Sequence, residues 1–108
     1  MTNMNSLRED LNQYKGQRVK FVGEFSRVSI SKIRRDIVVL LYNVKDSLDN
    51  LVADHMWSTI NLSSVDERLA RIKSGQAIKF EGRVHTYIKH DGTRTVGIDD
   101  VIIALDKV

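Results

Sequence analysis

Gly16-Gln17-Arg18-Val19-Lys20-Phe21-Val22-Gly23-Glu24-Phe25 and Gly75-Gln76-Ala77-Ile78-Lys79-Phe80-Glu81-Gly82-Arg83-Val84 are one phrase said twice. Five of the ten positions are identical, and two more exchange similar apolar residues, Val19 for Ile78 and Phe25 for Val84. In each copy apolar and polar residues alternate, the period of a half-buried strand. A glycine interrupts the alternation where a strand can bulge or bend. Each copy follows a stretch with the marks of a short helix. Two bent strands, each entered from a helix through a glycine, imply a small curved sheet. Two origins of the repeat stay open: duplication of a helix–strand unit, or convergence on the same steric demand.

Working outward from the first copy, Ser6-Leu7-Arg8-Glu9 is a capping-box pattern. Leu7, Leu11 and Tyr14 then supply one apolar helix face. Gly16 stands where a left-handed glycine stops a helix, and residues 1–5 read as a flexible tail. The first strand runs from Gln17 to Ile30, and a basic connector, Ser31 to Arg35, follows it. Asp36 to Val44 is rich in β-branched residues and reads as a second strand, and Leu51 to Thr59 as a third.

A second capping box, Ser64-Val65-Asp66-Glu67, predicts a helix over Val65 to Lys73, ended by Gly75. The second copy opens a fourth strand, Gln76 to Lys89. Asp91-Gly92 is a hairpin turn signal, and a fifth strand covers Thr93 to Leu105. The adjacent Asp99 and Asp100 break the alternation and predict a bulge.

A helix, three strands, a helix and two strands is the element order of a five-stranded OB-fold, a Greek-key barrel of all-β class with short helices. The expected organisation is one such domain over residues 6–108. Another small barrel or an α+β roll is the alternative.

A chain of 108 residues with 42% hydrophobic and 29% charged residues buries a core and stays soluble. No apolar run approaches the roughly 18–20 residues that cross a bilayer, and the N-terminus lacks a signal-peptide pattern. Without cysteine there are no disulfides, thiolate metal sites or thiol nucleophiles. The expected location is cytoplasmic. Net charge is +3, and its layout is polarised. Arg18 to Arg35 holds six basic residues and one acid; Asp46 to Glu67 holds five acids and no Lys or Arg.

A basic helix–strand opening, the central strand Asp54-His55-Met56-Trp57 and the phrase ending Gly82-Arg83-Val84 resemble small OB-fold proteins of phages and other bacterial mobile elements. The resemblance spans about residues 10–90. Some similar proteins of staphylococcal cassette elements bind single-stranded DNA and are associated with replication. The resemblance implies that role here, with a helicase or polymerase of the same element as a partner.

The residues can be weighed for it directly. If Val52 and Met56 point into a barrel, Trp57 and His55 stand on its outer surface, where an indole stacks on a base. Otherwise Trp57 packs under a helix. In an OB topology the loops after the first and fourth strands flank the binding face. They carry Arg27, Lys32, Arg34 and Arg35 on one side and Lys89, His90 and Arg94 on the other, the charge that phosphates need. Inward Ile78, Phe80 and Val84 would leave Lys79, Arg83, His85 and Tyr87 on one exposed face, with Tyr87 and Tyr42 as further stacking candidates. Seven aromatics are few for a strong single-strand binder, so affinity should be modest and salt-sensitive.

No zinc spacing emerges: His85 and His90 stand five apart, and Asp54 falls on the opposite strand face from His55. There is no nucleophile elbow, P-loop or dinucleotide fingerprint, so neither an enzyme nor a cofactor is expected. The rival expectation is a protein-interaction or inhibitor module acting on a host or element-encoded enzyme. The oligomeric state is not legible.

Overall fold

A computed structural model of the chain describes residues 10–31, 36–65, 67, 69–89 and 91–104. The expected N-terminal tail, the first capping box and the end of the fifth strand at Leu105 lie outside them. Five strands form: β1 (Arg18–Ile30), β2 (Ile37–Asp46), β3 (Leu51–Thr59), β4 (Ala77–Ile88) and β5 (Arg94–Ala104). They make one antiparallel sheet in the order β3-β2-β1-β4-β5. The alternation that predicted them is the alternation that buries them: Phe21, Phe25, Ile78, Phe80 and Val84 all face the core.

The two copies of the phrase pair with each other. Phe21 lies opposite Phe80 at the centre of the β1–β4 ladder, with ring centroids 5.6 Å apart. Around that point the contacts repeat. Gly16 N–H donates to Val84 O at 2.8 Å, and Gly75 N–H donates to Phe25 O at 2.7 Å. Val84 N–H returns to Gln17 O, and Phe25 N–H to Gln76 O, both at 2.9 Å. Gly16 and Gly75 both take positive φ, 82° and 89°, a turn that only glycine makes without strain. The phrase therefore encodes one contact made twice, each copy's first glycine bonding to the last residue of the other.

The likeness reaches the neighbouring strands. The β1–β2 register shifts between Val22 and Glu24, and the β4–β5 register shifts between Glu81 and Arg83, the same place in each copy. The extra residues fall at Asn43 and Asp100, with φ of 49° and 55°. The bulge expected at Asp99-Asp100 is thus present.

The second glycines differ in what they allow. A methyl group on Gly82 would collide with Ile98 Cγ2 and stand 3.2 Å from Asp99 O; on Gly23 the nearest atom is Phe80 Cε1 at 3.3 Å. Gly82→Ala is therefore expected to cost about 1–3 kcal/mol through overpacking. Gly23→Ala should cost clearly less. Urea titration of both variants checks this, and equal losses would contradict it.

Among the described residues the expected α-helices are not present. Before β1 there is a five-residue 3-10 turn, Asp10–Tyr14, and between β3 and β4 two 3-10 turns, Leu62–Ser64 and Leu69–Arg71. Segments this short carry little helical stability of their own, so packing decides their shape. Ser64 illustrates it. Its side chain is buried and its Oγ accepts from Ile103 N–H at 2.9 Å, so it cannot cap a helix. Asn61 takes the cap instead, accepting from Ser63 N–H. Leu11, Leu69 and Ile72 still reach the core, but Val65, which the same spacing would put on one apolar face with Leu69 and Ile72, stays exposed.

The outer strands β3 and β5 meet at one end. Ile60 forms a parallel bridge with Val101, and Asn61 N–H donates to Val101 O at 2.8 Å. No ladder joins the two strands among the described residues, so the sheet curls but does not close. No helix among them is long and apolar enough to cross a membrane.

At the opposite end of β2, Asp46 is 3% exposed and accepts from Tyr14 Oη at 2.9 Å, Leu48 N–H at 2.9 Å and Asn50 N–H at 3.0 Å. Burial alone would raise its pKa; the two N–H groups and the phenol outweigh it and hold the carboxyl below its usual range. The stability this contributes is present above the ordinary carboxylate pKa and is lost as pH falls through the folded value. Tyr14 is pushed up, chiefly by the same hydrogen bond. Its contribution is complete below the ordinary tyrosine pKa and is lost as pH rises through the raised value. Tyr14→Phe should lower the neutral-pH Tm by roughly 4–8 °C, the loss of one net hydrogen bond. It should also move the acid-unfolding midpoint upward. Melts from pH 3 to 8 read both, and an unchanged acid midpoint would refute the link.

Candidate nucleic-acid interface

Alternation along β3 sends Val52, Met56 and Ser58 into the core and leaves Trp57 on the outer face, 44% exposed. Of the two places open to Trp57, it takes the surface. Across the sheet, Arg27, Leu40 and Trp57 form one row. Leu40 is buried, and the Arg27 guanidinium lies 5.5 Å from the indole centroid, a cation–π contact. The next row is Glu24, Tyr42 and His55, with the Tyr42 and His55 rings 6.2 Å apart. Asp54 does not turn away from His55: its Oδ1 lies 3.1 Å from His55 Nδ1, because side chains adjacent on a twisted edge can bend together.

Trp57 borders an open depression of about 530 Å³ between the facing edges of β3 and β5. Thr59 continues the β3 wall, and Ser29, Ile30 and Ser31 form the β1 rim. Tyr87, Gly97 and Asp99 make the far side. Tyr87 is held there by a missing side chain: a Cβ on Gly97 would stand 2.7 Å from Tyr87 Cε1, so the ring rests on the β5 backbone. Asp99 ties three strands together. Its Oδ1 accepts from Thr59 N–H at 2.9 Å and from Thr59 Oγ1 at 3.1 Å, and its Oδ2 contacts His85 Nε2.

The structure thus brings Trp57, Tyr87 and Arg27 to one region. Lys89 and Arg94 are exposed on the β4–β5 hairpin just beyond Tyr87, which pairs with Thr95. The Asp91-Gly92 turn forms as its residues predict: Asp91 Oδ1 accepts from Thr93 N–H at 2.9 Å and Oγ1 at 2.6 Å, which holds the Asp91 carboxyl below its usual range. Lys32, Arg34, Arg35 and His90 lie outside the described residues. The two ends of the loop carrying the first three are joined by Ser31 N–H to Asp36 O at 2.8 Å, with Ser31 itself on the depression rim.

Lys79 and Arg83 are elsewhere. Lys79 pairs with Val22 and Ala104 and lines a second, smaller depression with Lys20 and Ile102. It stands roughly 25 Å along β4 from Tyr87, at about 3.3 Å per residue. Arg83 lies beside Arg18 and Asp100. Arg18 is bonded to Asp100 and pairs with Glu81 at 3.5 Å. Asn61, then Arg18 and Arg83, hold the Asp100 carboxyl low against partial burial.

Sequence reasoning missed Thr59, Gly97 and the lining role of Asp99. Only the doubled aspartate left a trace, and it was legible as a bulge alone. No family of known proteins, no curated protein and no solved structure matches this chain.

Proposed function

We propose that the curled sheet is an OB-type barrel and that it binds single-stranded DNA, largely through its backbone, in replication or maintenance of a mobile element. The observation that carries this reading is the shared depression. Two aromatic side chains from distant strands, Trp57 and Tyr87, line it together, and the cationic β1–β2 and β4–β5 connections leave from its rims. Aromatic faces accept any base, and cations accept any phosphate, so such a groove binds single strands with little sequence preference. Arg27 extends the Trp57 face with a second flat surface on which a base can stack.

The test uses the chain's one tryptophan as its own probe. Labelled oligo-dT is titrated by anisotropy, with Trp57 quenching in parallel, at two salt concentrations and against a duplex control. The expected slope of log K against log salt is roughly −2 to −4, for three to six phosphate contacts at about −0.7 each. Arg34→Glu with Arg35→Glu should flatten it by about 1 or more. Absence of any salt-dependent binding at low ionic strength would sink the proposal.

A second reading, a module that docks on another protein, draws on the smaller depression, lined by exposed Val22 and half-exposed Ile102 together with Lys20 and Lys79. A partner retained in pull-downs after nuclease digestion would favour it.

A further inference from the structure

The far wall of the depression carries a carboxylate, Asp99, facing the hydroxyl residues Ser29, Ser31 and Thr59 of its other sides. The geometry points to a base-reading subsite there, in which Asp99 accepts from the amino edge of a nucleobase stacked against Trp57 or Tyr87, so that guanine is held more tightly than thymine. This rests on the single-strand reading above and deepens it: the backbone grip stays general, and one position along the strand discriminates.

Asp99 reaches the depression with its side chain 24% exposed. A carboxylate offers about four acceptor sites. Thr59 uses two on Oδ1 and His85 meets Oδ2, so one acceptor position on Oδ2 remains to face the groove. The neighbouring hydroxyl is committed, since Thr59 Oγ1 donates to Asp99 and accepts from Asp100 N–H at 2.9 Å. The wall therefore presents an acceptor, fixed in place by three strands.

Guanine presents N1–H and N2–H₂ side by side, and cytosine and adenine present one amino group each. Thymine has only N3–H, flanked by two carbonyl oxygens that a carboxylate repels. One well-placed base-edge contact discriminates by roughly fivefold or more.

The experiment compares dT12 with the same 12-mer carrying one central guanine, and with one central inosine, which keeps N1–H but lacks the amino group. For the wild-type chain the guanine strand should bind about fivefold or more tighter than dT12, with inosine between them. Asp99→Asn keeps an acceptor for Thr59 and turns the groove-facing atom into a donor. His85 can accommodate it by donating from Nδ1 to Thr86 O, 3.2 Å away, and accepting at Nε2. The variant should lose the guanine preference, read as the ratio of its own affinities for the guanine strand and for dT12. Equal affinity of the wild-type chain for the three strands would overturn the subsite and leave single-strand binding standing. No binding to any of them would overturn both. A preference that persists in a folded Asp99→Asn would also overturn it, and if that variant does not fold, the guanine-to-inosine loss in the wild-type chain decides.

Discussion

Phe80→Ala is expected to remove about 3–5 kcal/mol of stability, the range for emptying a buried phenylalanine site. Phe80 is 2% exposed and stacks on Phe21 across the central β1–β4 pair, with 29° between the rings. That pair holds the two β-hairpins together, and β1 and β4 are the strands through which every other strand is attached. At Gly23 the β1 backbone already lies close to the ring, since a Cβ there would stand 3.3 Å from Phe80 Cε1, which limits how much further the emptied site can close. Against a total of about 5–15 kcal/mol for a domain of this kind, that is from about a fifth of the stability to all of it. Phe21→Ala should cost a similar amount. The double variant should cost less than the sum, since both lose the same ring contact. Urea titrations of the three variants measure this, and a loss below about 1 kcal/mol for Phe80→Ala would show that the pair is not the keystone of the sheet.

Trp57→Ala should weaken single-strand binding by about 5- to 150-fold, the equivalent of about 1–3 kcal/mol for one stacked base. Its effect on Tm should be small by comparison. The indole is partly exposed, beside Leu40 on the neighbouring strand and the Arg27 guanidinium. Trp57→Phe should recover part of the affinity, because a smaller face still stacks. Titration of labelled oligo-dT with each variant, beside a thermal melt, separates the two effects. An unchanged Kd in a folded Trp57→Ala would remove the aromatic surface from any account of binding.

The two helices show where local reading fails. Both stretches carry a capping box and an apolar stripe, yet the second resolves into separate 3-10 turns. Ser64 could have bonded to its own segment; Ile103 N–H lay nearer once β5 was in place. A hydroxyl has the same local grammar whichever partner it finds. β3 gives the opposite case. Its bounds, Leu51–Thr59, match the sequence reading, and alternation sends Val52, Met56 and Ser58 to the core; the fold then decided that Trp57 stands on the surface and that Ala53, on the same face, is covered.

Local physics was therefore enough to determine five strands, the burial faces of most of their residues, the Asp91-Gly92 turn, the Asp99-Asp100 bulge and the positive-φ turns at Gly16 and Gly75. Each depends on a period of two or on a backbone angle that the residue itself prefers. Tertiary structure alone decided the rest. The doubled phrase marked two strands, but only the fold sets them against each other, Phe21 on Phe80. Trp57 and Tyr87 could each be read as surface residues, but only the curling of β3 toward β5 puts them on one depression. Gly97 and Asp99 acquire their roles from Tyr87, Thr59 and His85, partners on other strands that no periodicity can name.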